Sequence, residues 1–131
     1  MDEYMSEVRV GVWGLLCPGS ADEVARARRW TRDVLQEHPR VDDAVLVVSE
    51  LGTNALTHTV GDALRVMLTV TEGRVTVAVT DSGGSPQGPK VTEATEEAVH
   101  GRGLSIVMAL AIRLAVTGDE AGRTVTAELP C

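Results

Sequence analysis

Apolar positions along this chain switch between two periods, and each switch marks an element. From Val8 to Leu16 they alternate as in a strand, with Val8, Val10, Val12 and Gly14 sharing a face. Pro18-Gly19 breaks the run. Ser20-Ala21-Asp22-Glu23 then has the form of a capping box, with Ser20 as N-cap and Glu23 reaching back to it. Val24, Ala27, Thr31, Val34 and Leu35 recur at helical spacing, which predicts a helix to about Glu37 that Pro39 ends. Its arginines at 26, 28, 29 and 32 fall mostly off that stripe and read as a solvated face. A second helix starts at Asp42 or Asp43 and runs to about His58, with Gly61 closing it off. Leu64, Val66, Leu68 and Val70 alternate, Glu72-Gly73 turns the chain, and Val75, Val77 and Val79 return to Thr80-Asp81 as a hairpin.

The segment from Ser82 to Gly101 differs in kind. It holds Gly83, Gly84, Pro86, Gly88 and Pro89, then an acidic stretch with helical potential from Thr92 to Val99. Connections of that length are uncommon unless they are functional or disordered, so it reads as a mobile lid. Gly101-Arg102-Gly103 opens a third apolar helix, Leu104 to Ala111, and Ile112–Val116 with Thr124–Leu129 closes the chain as a hairpin. The order β, α, α, ββ, loop, α, ββ predicts an α+β fold. It is a two-layer sandwich in which a mostly antiparallel mixed sheet carries helices on one face. With 131 residues and no internal repeat, one domain is expected over 1–131.

Charge and cysteines narrow the function classes. A formal net charge of −7 counts against non-specific nucleic-acid binding, which needs a basic surface. The acidic start, Met1 to Glu7, leads into no signal-peptide pattern, and no apolar run approaches membrane-spanning length, so a cytoplasmic location is expected. Cys17 and Cys131 have neither zinc-site spacing nor disulfide-scaffold density.

The candidate chemistry centres on the second helix. The stretch from Leu46 to His58 is almost wholly apolar in its first half, yet Glu50 and Asn54 stand one turn apart on one face. Burying a carboxylate and an amide there costs free energy unless something polar meets them, either nearby backbone or a ligand. His58 reads as a helix-end residue. Competing nucleotide motifs fail: Gly88-Pro89-Lys90 lacks the P-loop pattern, and the run from Gly101 lacks the third glycine of a dinucleotide fingerprint. Ser105 is not set in a nucleophile elbow.

Four segments together resemble one family. Ser49-Glu50-Leu51-x-Thr53-Asn54-Ala55-Leu56-x-His58 resembles the N-box of the GHKL ATPase superfamily, and Asp81-Ser82-Gly83 resembles its first glycine box. Gly101-Arg102-Gly103-Leu104 resembles the second, and Gly122-Arg123-Thr124-Val125 the strand that closes the nucleotide site. Among stand-alone members, a chain this short is most similar to the bacterial anti-sigma-factor serine/threonine kinases, especially the small actinobacterial type. The resemblance implies a Bergerat-type ATP-binding fold with ATP and Mg²⁺ as cofactors. It also implies Asn54 as the magnesium ligand, Glu50 as the proton acceptor and Asp81 as the group that reads the adenine amine. Gly83 would lie against the purine, Gly101, Arg102, Gly103 and Leu104 around the phosphates, and Thr124 near the adenine. The partners implied are an anti-sigma-factor antagonist, a sigma factor and a second copy of the chain. Ser85 departs from the usual Asp-x-Gly-x-Gly at its last position, which bears on how the lid hinges. Two functions remain: a protein serine/threonine kinase that works by partner switching, and an ATP-dependent binding module without phosphotransfer.

Overall fold

Among the described residues, the alternating runs pair into one five-stranded sheet with three helices against it. The computed structural model describes residues 10–18, 21–58, 63–81, 103–119 and 122–131. In chain order these form β1 (Gly11–Pro18), α1 (Ala21–Leu35), α2 (Val41–His58), β2 (Ala63–Val70) and β3 (Arg74–Asp81). They are followed by α3 (Gly103–Leu110), β4 (Arg113–Asp119) and β5 (Gly122–Pro130). The sheet order is β1-β2-β3-β5-β4, and every pairing among the described residues is antiparallel. The predicted lid at 82–101 and the N-cap Ser20 lie outside the described residues.

Because side chains alternate across a strand, one row of the sheet faces the helices. That row is Leu64, Val66, Leu68 and Val70 on β2, Val75, Val77 and Val79 on β3, and Ala127 and Leu129 on β5, all buried. Ala44, Val47, Val48 and Leu51 of α2 close over it, and α1 adds Ala27 and Leu35. Each fully buried valine or leucine contributes about 1.5–3 kcal/mol relative to exposure, so this row and α2 carry the fold. The α1 stripe falls where periodicity puts it. Val24, Ala27, Thr31 and Leu35 are buried, and the Thr31 hydroxyl is satisfied by donating to the Ala27 carbonyl at 2.8 Å.

Alternation left open which face of β1 is buried, and several element ends differ from expectation. The face shared by Val10 and Val12 points outward, where both are 61% exposed, while Trp13, Leu15 and Cys17 turn toward the helices. Both faces of this run are apolar, so alternation alone does not say which is buried. Helix α1 stops at Leu35, short of Glu37, because Gln36 adopts a left-handed φ of 51° and its N–H closes on the Arg32 carbonyl at 2.8 Å. Strand β4 runs on to Asp119, past the predicted Val116, through Gly118 at φ 105°. The arginines of α1 are partnered as well as solvated: Arg26 pairs with Glu23 and Arg32 with Asp42. Glu23 accepts from Arg26 at 2.8 Å, and its expected capping partner Ser20 lies outside the described residues.

Gly52 sits inside α2 without a packing reason to be glycine. A Cβ there would meet Val24 Cγ2 at 3.6 Å, an ordinary contact. Gly52→Ala should therefore stabilise the protein by about 0.5–1 kcal/mol, chiefly by restricting the unfolded chain. Urea denaturation checks this, and a lowered midpoint would mean that α2 needs the gap.

His38, in the turn between α1 and α2, gives stability a pH dependence. Its Nδ1 accepts the Arg40 N–H at 3.0 Å, a bond only the unprotonated nitrogen can make. Burial, helped by the Arg40 charge, lowers its pKa from the ordinary 6.5. A depressed histidine contributes stability above the unfolded value, and that contribution is lost as pH falls from 6.5 through the lower folded value. Wild-type protein should lose more stability below pH 6.5 than His38→Gln does, measured as urea midpoints across that window. Parallel curves would remove His38 from the account.

Candidate functional site

Helix α2 is built to hold polar groups at its far end. Asp42 and Asp43 in its first turn face the positive end of the helix dipole, and Arg40 pairs with Asp43 at 2.8 Å. Along the helix, Ala44, Val47, Val48 and Leu51 are buried, whereas Glu50 and Asn54 are only partly covered. One turn apart, these two present a carboxylate and a carboxamide at the margin of the core. Arg28 of α1 donates to Ser49 Oγ at 3.3 Å, which anchors the helix one residue before Glu50. Helix α2 packs on α1, on β3 and on α3, so all three position it.

The second part of the site is the end of β3. Asp81 is 5% exposed there, beyond the apolar row that ends at Val79. A carboxylate so covered needs a compensating charge, and β5 supplies one. The β3–β5 register sets Arg123 opposite Asp81, with Nε 3.7 Å from Oδ2. That separation makes an ion pair without a close hydrogen bond. On the neighbouring rung, the hydroxyls of Thr80 and Thr124 are 2.7 Å apart. Adjacent residues of a strand face opposite sides, so the Thr124 hydroxyl lies on the side of the sheet away from Asp81. The same rung continues to Gly118 of β4, which pairs with Arg123.

The expected site residues that the structure describes are thus distributed over four elements, Thr124 on β5 being one of them. Glu50 and Asn54 stand on α2, and Asp81 ends β3. Gly103 opens α3, with Leu104 packed against the core beside it. Gly83, Gly101 and Arg102 lie outside the described residues, as does Ser85. Sequence reasoning gave no role to Arg123, whose signal is the pairing of β3 with β5. That pairing joins strands from two separate hairpins and leaves no local mark in the sequence. Among the described residues, no group of three or more His, Cys, Asp or Glu side chains is placed to hold a metal ion, and no helix is long and apolar enough to cross a membrane.

The polar pair is thus carried by a helix that packs on β3, the strand that Asp81 ends. A family model for the histidine kinase-like ATPase domain matches residues 17–129, nearly the whole chain. The chain belongs to this family. Its fold is also that of a solved structure, the RsbU and RsbW domains of Rv1364c from Mycobacterium tuberculosis. The match has a TM-score of 0.64 and 20% sequence identity, and it covers 92% of this chain. The chain spans 33% of the length of that protein, so the likeness is one of fold. A search of curated proteins found no match. For a histidine kinase-like ATPase domain, the donor set is chemically apt. Asn54 offers a neutral hard oxygen of the kind magnesium accepts, and Asp81 offers a buried acceptor for an amine.

Proposed function

We propose that this ATPase-family domain binds Mg-ATP and transfers its γ-phosphoryl group to a serine or threonine hydroxyl of a partner protein. The observation that carries the reading is that Glu50 and Asn54 stand one turn apart on α2, a helix that packs on β3, the strand that ends in the buried Asp81. Bound Mg-ATP would supply the transferable phosphoryl group, with the metal offsetting its negative charge. Asn54 holds the metal through its carboxamide oxygen. Asp81 accepts from the adenine amine, and Gly103 brings the amide-rich start of α3 toward the phosphates, together with Gly101 and Arg102. Glu50 takes the proton of the incoming hydroxyl.

The partner proposed is a small antagonist of an anti-sigma factor, and the regulatory output is partner switching with a sigma factor. The choice of partner follows from the resemblance of the four motifs to the bacterial anti-sigma-factor kinases. A homodimer and a cytoplasmic location complete the proposal. Thermal-shift titration tests the nucleotide step. Wild-type protein should be stabilised by Mg-ATP, by about 2.7 kcal/mol at a hundredfold excess over the dissociation constant. Asp81→Asn and Asn54→Ala should both lose most of that response. No response in wild-type protein, or an undiminished one in both variants, removes the site. Nucleotide binding without phosphate transfer to any antagonist would leave an ATP-dependent binding module.

A further inference from the structure

At the end of β3, three strands meet on one rung: Asp81, Arg123 and Gly118 are paired in sequence across β3, β5 and β4. Arg123 is itself largely covered, with its side chain 17% exposed and the Asp81 side chain 4% exposed. An arginine so covered beside a covered carboxylate is not a surface ion pair, because solvent does not screen the two. Its position is also held from both sides. The Thr80–Thr124 bond at 2.7 Å locks the rung next to it, and Gly118 lets β4 approach, since a Cβ at 118 would lie 2.9 Å from the Arg123 Cα.

From this geometry we infer that Arg123 is a positioning residue that sets the preference for adenine, by biasing the direction of the Asp81 carboxylate. The inference rests on the nucleotide-site reading above and adds to it the residue that makes Asp81 selective. An ionised carboxylate only accepts hydrogen bonds. Adenine presents an amine donor at its six position, whereas hypoxanthine presents a carbonyl there, a second acceptor that the carboxylate repels. Discrimination therefore depends on how the Asp81 carboxylate is aimed. With Arg123 removed, the covered carboxylate loses the charge that stands beside it at 3.7 Å, and its aim at the amine relaxes. The bond to the amine is then lost. Hypoxanthine never made that bond, so its affinity changes little.

The measurement is the ratio of dissociation constants for ADP and IDP, by calorimetry at one pH, in wild-type protein, Arg123→Gln and Arg123→Lys. Wild-type protein should prefer ADP by tenfold or more, roughly what one charged hydrogen bond supplies. Arg123→Gln should bring the ratio to within about threefold, mainly by weakening ADP. Arg123→Lys, which keeps the charge, should recover most of the preference. A merely structural arginine would weaken both nucleotides alike and leave the ratio unmoved, which overturns the inference. If Arg123→Gln does not fold, Arg123→Met keeps the packed stem and is read in the same way. Should both uncharged variants unfold while the lysine variant folds, Arg123 belongs to the fold and not to base selection. Wild-type protein that binds neither nucleotide overturns the site itself. Binding of ADP with an unaltered ratio in the glutamine variant overturns only the role of Arg123.

Discussion

Glu50→Gln should leave Mg-ATP binding unchanged and lower phosphate transfer to the partner protein by about a hundredfold to ten-thousandfold. The substitution keeps the shape and the hydrogen-bonding reach of the side chain but removes the only proton-accepting charge one turn from Asn54 on α2. Phosphoryl transfer is mainly a matter of positioning and charge compensation, and the attacking hydroxyl still has to lose its proton. Glu50 is partly exposed, so an incoming protein can reach it, while Leu51 beside it is buried and fixes the turn of helix that carries it. Transfer of radiolabelled phosphate to a purified antagonist, together with calorimetry for binding, separates the two effects. If the glutamine variant labels its partner at the wild-type rate, Glu50 is not the base. If wild-type protein binds ATP and labels no partner, the domain is a binding module.

Gly118→Ala should destabilise the protein by about 3 kcal/mol, through left-handed strain and overpacking together. Gly118 has φ 105°, where a side chain is strained in any surroundings. The surroundings are also closed, because a Cβ would lie 2.1 Å from the Gly122 carbonyl oxygen. That atom is backbone at the first residue of β5, so no rotamer change relieves the contact. Relief requires β4 to separate from β5 at the rung that holds Arg123 and Asp81. The variant should therefore lose nucleotide affinity along with stability. Urea denaturation measures the first effect, and a loss below about 1 kcal/mol would show that the turn relaxes at little cost.

The fold was largely legible because its elements differ in period. Val24, Ala27, Thr31 and Leu35 announce α1, and the alternating rows from Leu64 to Val79 announce β2 and β3. The polar pair in α2 was legible for a related reason: Glu50 and Asn54 contradict an otherwise apolar run, and such a contradiction draws attention to chemistry. Local patterns also have limits, and β1 shows one of them. Val10, Val12 and Leu16 are as apolar as Trp13, Leu15 and Cys17, so the buried side of the strand was decided by where α1 packs. Gln36 shows another, since no local rule puts a glutamine in the left-handed region.

By itself, then, the sequence determined the element order, the two-layer α+β class, the inward rows of β2, β3 and α1, and the placing of Glu50 and Asn54 one turn apart. Those are properties of neighbours along the chain, and short-range periodicity records them. Only the tertiary structure decided that β5 lies between β3 and β4, that Arg123 and not Thr124 shares a face with Asp81, and that Gly118 must be bare for β4 to reach that rung. The physical reason is that a strand's partner and register are set by packing and hydrogen bonding between residues far apart in sequence. A one-residue shift there turns every side chain to the opposite face.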